Sequence, residues 1–243
     1  MKIVNAVWEM RNLGVICTEV TVEHRDSDEG VLAQLSDLPA GYQVIKVPVA
    51  RVDIMNSLHR ANFAYVESSI SVEHELSINH PEGLFARMVS ASEYVELGSD
   101  EIDRVSLEIR SDMFRTDRVY LDPEFTREQA ANRYVNWMMD EVSRGASVYE
   151  LRIKNIGIGF FLFRHDSKGV GYSALAGLYP SSKSPGFGNV LLHQVLLEAK
   201  QRQLIRLESH VSSNNLAVVK NHIEQGFRIT DIHYVYVRHT IKI

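Results

Sequence analysis

LYPSSKSPGFGN, Leu178 to Asn189, decides how the rest of this 243-residue chain is read. A strand end and a proline lead into Lys183-x-x-Gly186-x-Gly188, and an apolar-periodic helix follows at once. A glycine-rich turn that opens a helix leaves several backbone N–H groups without intrahelical partners, and the positive end of the helix dipole adds to them. Such a turn suits a phosphate or pyrophosphate. Its glycines permit positive φ and let a ligand approach the backbone closely. Outward from the turn, a helix over 189–203 carries Leu191/Val195/Ala199 and Leu192/Leu196 at helical spacing. Leu204 to Val211 then reads as a strand, Asn215 stands at the cap of a helix over 216–225, and Gly226-Phe227 ends it.

Upstream, YELRIK, IGIGFFLFR and VGYSALAGLY read as consecutive strands, turning at Asn155-Ile156-Gly157 and at Asp166-Ser167-Lys168-Gly169. Before them, TREQAANRYVNWMMDEVSRG is a helix with Thr126 as cap and Gly145 as terminator. A further helix is capped by Ser99, with Ile102, Val105, Ile109 and Met113 on one face, after a short strand over 93–97. The final residues, 228–243, form one or two strands. Mixed α/β architecture follows. Residues 1–76 read as strands plus one helix, capped by Asp53 and ending near Ala61. The breakers around Asn79-His80-Pro81-Glu82-Gly83 mark a lobe boundary, which divides the chain into 1–82 and 83–243. SLHRANFAYVESSISV (57–72) echoes NHIEQGFRITDIHYVYV (221–237) in plan: a helix, a small residue plus Phe, then an alternating strand.

Composition narrows the function. A net charge of −5 and a pI near 6.1 give no electrostatic footprint for nucleic acid. The single Cys17 excludes an internal disulfide framework and fits a reducing cytosol. The longest apolar run, IGIGFFLF at 156–163, is strand length, so no membrane span is expected. Glu9 and Arg11 break the N-terminal apolar stretch, which is therefore no secretory signal, and a cytoplasmic protein is expected. The histidines are scattered, with no HxxxH pair on one helix face and no Cys partners, so no metal site is expected.

The strand end and loop, Leu178-x-Pro180-x-x-Lys183-x-x-Gly186-x-Gly188, together with the later Asn215-x-Ala217 and Gly226-Phe227, resemble the GNAT superfamily of acyl-CoA-dependent N-acyltransferases. That resemblance covers roughly residues 90–240. More narrowly, TDRVYLDPEFTREQAANRYVNWMMDEVSRG is similar to a segment of TDP-fucosamine acetyltransferases. AVWEMRNLGV and FAYVESSISVEHEL look like that family's truncated N-terminal half-domain. The fold implied is a GNAT α/β domain preceded by a smaller, half-GNAT-like lobe. The activity implied is transfer of an acyl group, usually acetyl from acetyl-CoA, to the amine of a small acceptor such as a nucleotide-linked amino sugar. Acylation of another amine, on an antibiotic or a peptide, and a non-catalytic acyl-CoA-binding module are the alternatives.

The resemblance also assigns roles. Leu178, Lys183, Gly186, Phe187, Gly188, Asn189 and Asn215 would hold the coenzyme. The strand 174–179 would pair with the pantetheine arm and splay from its parallel neighbour, 204–211. Two departures stand out: Lys183 replaces the usual Gln or Arg, and His222 replaces the usual tyrosine of the last helix. Either His222 protonates the departing thiolate, or it is a half-buried helix histidine and Tyr234 or Tyr236 substitutes. Glu67 matches a position near the acceptor amine, with His210 a second candidate there. Arg118 and Tyr134 fall in the segment that would line the acceptor pocket. Exposed C-terminal strands would allow a homodimer.

Overall fold

The computed structural model describes residues 1–240 apart from 79, 111, 112, 183 and 184. The elements run β1 (Lys2–Asn5), α1 (Trp8–Leu13), β2 (Cys17–Thr21), α2 (Asp28–Ser36), β3 (Tyr42–Pro48), α3 (Val52–Arg60) and β4 (Ala64–His74). Then come α4 (Gly83–Ser90), β5 (Ser92–Glu96), α5 (Ser99–Arg110), α6 (Arg118–Leu121), α7 (Arg127–Ser143), β6 (Ser147–Ile153), β7 (Ile156–His165) and β8 (Val170–Leu178). A 3-10 turn (Pro180–Ser182), α8 (Phe187–Gln201), β9 (Arg206–Ser212), α9 (Leu216–Glu224) and β10 (Arg228–His239) complete the order. They form two compact units, described separately. The first comprises Met1–Ile70, Ser212–Asn214 and the chain from Asp231; the second comprises Ser71–Val211 and Asn215–Thr230.

In the first unit the strand order is β1-β2-β3-β10-β4. β2 and β3 pair in parallel over the whole of β2, from Cys17↔Tyr42 to Thr21↔Lys46, with α2 as the crossover between them. β10 lies antiparallel to β3, from His233↔Pro48 to His239↔Tyr42. Val20, Ile45, Val47, Ile54, Leu58 and Tyr236 are buried together as the core. Among the described residues of this unit there are three helices, not one. α1 is a turn and a half with no side-chain cap, too short to show a periodicity. α2 did carry a signal: Ser27 accepts a hydrogen bond from the Gly30 N–H, Asp28 and Glu29 fill the first turn, and Val31 and Leu35 are buried. Asp53 is not the cap of α3; that position is Arg51, whose guanidinium pairs with Asp53 at 2.7 Å.

In the second unit the order is β4-β9-β8-β7-β6-β5. β5, β6, β7 and β8 form an antiparallel meander, and β8 pairs in parallel with β9 through the crossover α8. The β6–β7 turn is Lys154-Asn155, both at positive φ, so Ile156 already belongs to the strand. Two residues at positive φ are what a two-residue hairpin loop requires. Val105, Ile109, Met138, Val148, Phe160 and Leu162 pack into one core, as the periodicity of α5 predicts for its residues; Met113, expected on the same helix, lies past its end at Arg110 but joins the same core. Thr126 and Gln129 exchange hydrogen bonds of 3.1 and 2.8 Å as a capping box for α7. Ser99 is the first residue of α5 rather than its cap, α8 begins two residues before the expected start, and the C-terminal run is a single strand.

One local plan occurs twice. α3 ends three residues before Phe63, α9 ends three before Phe227, and each Phe opens directly into a strand. The residue before each Phe is left-handed, Asn62 at φ 61° and Gly226 at φ 92°, and both rings are buried.

Candidate functional site

The site begins where β8 ends. Tyr179 is 2% exposed; its N–H donates to Ile158 O at 2.9 Å and its hydroxyl donates to Glu150 Oε1 at 2.7 Å. Glu150, in the middle of apolar β6, also takes Arg104 Nη2 and Arg152 Nε, each at 2.7 Å. Burial pushes its carboxyl pKa up, but donors from Arg152, Tyr179 and Arg104 outweigh burial and hold it below the ordinary value. The same burial and the adjacent carboxylate raise the Tyr179 phenol well above its usual range. Gly157 makes room for this cluster, because a Cβ there would overlap the Glu150 carboxylate. Thus the last residue before Pro180 is fixed by a buried charged clamp.

Lys183 lies outside the described residues. Gly186 is the N-cap of α8 at φ 88°, a left-handed conformation suited to glycine, and no side chain caps the helix. Phe187 and Gly188, its first two residues, therefore present N–H groups that no carbonyl of the helix can meet. α9 closes against this turn. A Cβ on Gly188 would lie 2.8 Å from Asn221 Nδ2, and Asn189 Nδ2 donates to Glu224 at 3.3 Å. Met88 of α4 stands over Gly186, its Cε 3.0 Å from where a Cβ would be. The arrangement is an open, positively polarised helix end with small residues where a ligand would approach.

The strand leading to the turn is irregular in two ways that matter. Its pairing with β7 skips a residue between Leu162↔Leu175 and Phe163↔Ser173, so Ala174 bulges. A bulge leaves one residue out of the ladder and re-aims its backbone groups. Its parallel register with β9 runs from Val170↔Arg206 to Tyr172↔Glu208, whereas β8 continues to Leu178 and β9 to Ser212. Beyond Tyr172 the two strands part, as expected for residues 174–179. Leu178 itself pairs with Gly159 of β7.

Asn215 caps α9, its Oδ1 accepting from Val218 N at 3.3 Å. His222 is 6% exposed, its Nδ1 is 2.8 Å from Val218 O, and its ring meets Phe227 edge-on at 4.7 Å. A hydrogen bond to a carbonyl assigns the neutral ring's proton to Nδ1. Burial lowers its pKa, with the Val218 bond opposing. Proton donation from Nε2 therefore requires the imidazolium. Two further buried histidines share this corner. His74 meets Gln225 O at 3.0 Å and the Phe227 ring at 5.0 Å, and His193 of α8 packs against Phe85. Burial lowers both pKa values.

The remaining candidates divide between the units. In the first, Glu67 is 7% exposed and accepts a short hydrogen bond from Ser212 Oγ; Ser213 and Asn214 bind the adjoining backbone of β4. Tyr236 is buried in the core there. In the second, His210 is exposed on β9. Arg118 is buried at the start of α6, and Tyr134 stacks on Phe114 at 4.3 Å. Burial, aided by Asp117, raises the Tyr134 phenol well above its usual range. Asp117 also caps α6 and pairs with Arg133 at 3.5 Å, so Arg118 and Tyr134 belong to one cluster joining α6 to α7. Glu150, Tyr179, Asn221 and Met88 went unmarked in the sequence. Only Glu150, a carboxylate inside VYELRI, left a visible trace.

Among the described residues, no cluster of three or more His, Cys, Asp or Glu side chains could hold a metal ion, and no helix is long and apolar enough to cross a membrane. Two cavities lie away from the turn. One of about 650 Å³ is bounded by Arg110, Arg127 and Asn132. The other, of about 310 Å³, lies in the first unit.

No protein-family model and no curated protein matches the chain. Solved structures do match in fold. A GCN5-related N-acetyltransferase from Sphaerobacter thermophilus is 13% identical with TM-score 0.59, over 89% of this chain and 66% of that one. A GCN5-related glucosamine N-acetyltransferase region of a fungal multi-domain β-N-acetylglucosaminidase is 11% identical with TM-score 0.58, over 80% and 25%. A tandem GNAT protein from the clavulanic acid biosynthesis pathway is 10% identical with TM-score 0.50, over 89% and 69%. The fold is thus the mixed α/β fold of GNAT proteins.

Proposed function

We propose that the chain is an acyl-CoA-dependent N-acyltransferase, taking acetyl from acetyl-CoA to the amine of a small acceptor, with nucleotide-linked amino sugars the first class to examine. One observation carries the reading: an uncapped helix N-terminus at left-handed Gly186 is the next α-helix after a strand that bulges at Ala174 and parts from its parallel neighbour, with a 3-10 turn between them. The backbone N–H groups of Gly186, Phe187 and Gly188 would hold the diphosphate, with charge complementarity from the helix dipole; the Asn189 N–H already donates to Gly186 O at 3.1 Å, so Asn189 would contribute through its side chain. The β9-facing edge of β8 beyond Ser173, whose carbonyl accepts from Ser209 Oγ at 3.3 Å, would offer backbone groups outside the ladder to the amide-rich pantetheine arm, and the N–H at the Ala174 bulge suits an oxyanion. Direct attack of the amine forms the C–N bond as the C–S bond breaks. The amine proton passes to a base, for which Glu67, hydrogen-bonded by Ser212, or His210 is proposed. The leaving thiolate takes a proton, and His222 can provide one only as the imidazolium. Arg118 and Tyr134 are retained as acceptor-side residues, acting through the α6–α7 cluster. We also propose residues 1–82 as a reduced GNAT-like lobe, with a cytoplasmic site of action.

The test is thiol release from acetyl-CoA against TDP- and UDP-linked amino sugars, beside a panel of antibiotic and peptide amines. Release with a sugar nucleotide supports the full reading, and release with another amine moves the acceptor class. Calorimetric binding of acetyl-CoA with no release across the panel would instead favour a binding module. No binding at all removes the enzymatic reading. An unchanged kcat in His222→Phe would strip His222 of its acid role.

A further inference from the structure

We propose that the open cleft bordered by α2, α3 and β10 in the first unit is a binding site for a small aliphatic monocarboxylate. The cavity has a volume of about 310 Å³, at the lower end of the range for small-ligand sites. Leu32, Leu35 and Ala61 supply an apolar wall, and Ser57, Arg60 and Arg238 supply the polar one. Two arginines therefore border a single small space, and neither forms an ion pair among the described residues. Arg238 is held by neutral partners only. Its Nε donates to Gln43 Oε1 at 2.9 Å, its Nη1 donates to Ala61 O at 2.9 Å, and its guanidinium lies 4.2 Å over the Phe63 ring. These contacts fix the plane of the group and leave Nη2 without a partner among the described residues. Burial lowers the Arg238 pKa with no carboxylate opposing it, as expected of an uncompensated cation.

Arg60 donates from Nη2 to Ser57 Oγ at 3.0 Å, and the Ser57 hydroxyl donates to Asp28 Oδ2 at 3.1 Å. Asp28 thus stands behind Ser57. Two guanidinium groups and no carboxylate line the space itself, Asp28 also lying in the field of Arg51, so the lining favours a small anion. A planar, pre-oriented guanidinium matches a carboxylate through paired N–H donors. The Leu32–Leu35–Ala61 wall selects a short aliphatic body over a bare inorganic anion.

The experiment titrates the full chain with acetate, isobutyrate and isovalerate, with isobutyramide as the neutral isostere and inorganic phosphate as the charged control, followed by calorimetry and thermal shift. Isobutyrate should bind at least about tenfold more tightly than both isobutyramide and phosphate, because the amide forfeits charge-assisted bonds and phosphate forfeits the apolar wall. Arg60→Gln, at an exposed position that leaves the fold intact, should weaken isobutyrate by about tenfold or more. Arg238→Gln should do the same, with folding checked by its unfolding midpoint. Acetyl-CoA binding should not change in Arg60→Gln, so this site can fail while the acyltransferase reading stands, and the reverse. Equal binding of acid and amide, stronger binding of phosphate, no heat from any carboxylate, or unchanged affinity in Arg60→Gln would each overturn the proposal.

Discussion

Gly157→Ala tests the clamp that fixes the end of β8. Gly157 is not at positive φ, so the substitution acts through space and not through backbone strain. The new Cβ would lie 2.5 Å from Glu150 Cδ and 2.9 Å from Oε2, and would overlap Oε1. Restoring an ordinary contact of about 3.5 Å moves the carboxylate by about 1 Å. Glu150 is 1% exposed and held by three donors at 2.7 Å, so a shift of that size breaks some of them. Arg104 and Arg152 are 46% and 24% exposed and can turn to water. The buried Tyr179 hydroxyl cannot. A lost charge-assisted bond costs about 1.5–3 kcal/mol, and a fully broken buried pair about 3–5. Reduced entropy of the unfolded chain offsets about 0.4–1 kcal/mol. The expected net loss is about 2–3 kcal/mol in urea unfolding. In a Glu150→Ala background the obstacle is gone, and the same change should cost under about 1 kcal/mol, a coupling that a double-mutant cycle reads directly. Weaker acetyl-CoA binding should accompany the loss as Tyr179 and the start of the loop shift. An equal cost in both backgrounds, or a net change within about 0.5 kcal/mol of zero, would refute the reasoning.

Two other perturbations are as direct. Gly186→Ala places an L-residue at φ 88°, which costs about 1–2 kcal/mol. The cost should divide between lowered stability and weaker acetyl-CoA binding, and no change in either would mean the turn is not used as described. Acidification probes the corner of α9, where burial lowers the pKa values of His74, His193 and His222 from 6.5. Their folded pKa values lie below the unfolded ones, so the unfolded state takes up protons first as pH falls. Stability should therefore be level above pH 6.5 and fall below it, each histidine contributing at most about 1.4 kcal/mol per pH unit. Unfolding midpoints that stay flat from pH 7 to 5 would exclude three buried neutral imidazoles.

What the sequence discloses follows local rules. Thr126 before α7, Gly186 before α8, Asn215 before α9 and the apolar face of α5 each act within one or two turns, and each is found. α1 escapes because six residues have no period to display. α2 escapes although Ser27 and the acidic first turn announce it, because Gly30 and a mixed face mask the rhythm. Partner choice is invisible for a different reason. β10 lies against β3 across most of the chain, with His239 opposite Tyr42, and nothing near either strand encodes that pairing. The Tyr179–Glu150–Arg104 clamp likewise joins three distant segments. Single charged residues inside apolar strands are the only local hint such clamps leave.

The two units supply each other's control. Each contains a strand, a helix and a parallel strand, then a second helix that ends at a left-handed residue and a buried Phe. In the first unit the parallel strands stay paired along all of β2, and α2 is closed by Ser27 with Asp28 and Glu29 in its first turn. An anion brought there would meet two carboxylates and an N–H already engaged. In the second unit the parallel strands part after Tyr172 and α8 has neither cap nor first-turn acid. A missing cap costs a helix about 1 kcal/mol, so an open end is not what stability alone would choose. Parting strands and an open helix end occur together once and are absent together once, which is the pattern expected if one ligand requires both: a diphosphate for the amides and an extended arm for the freed strand edge.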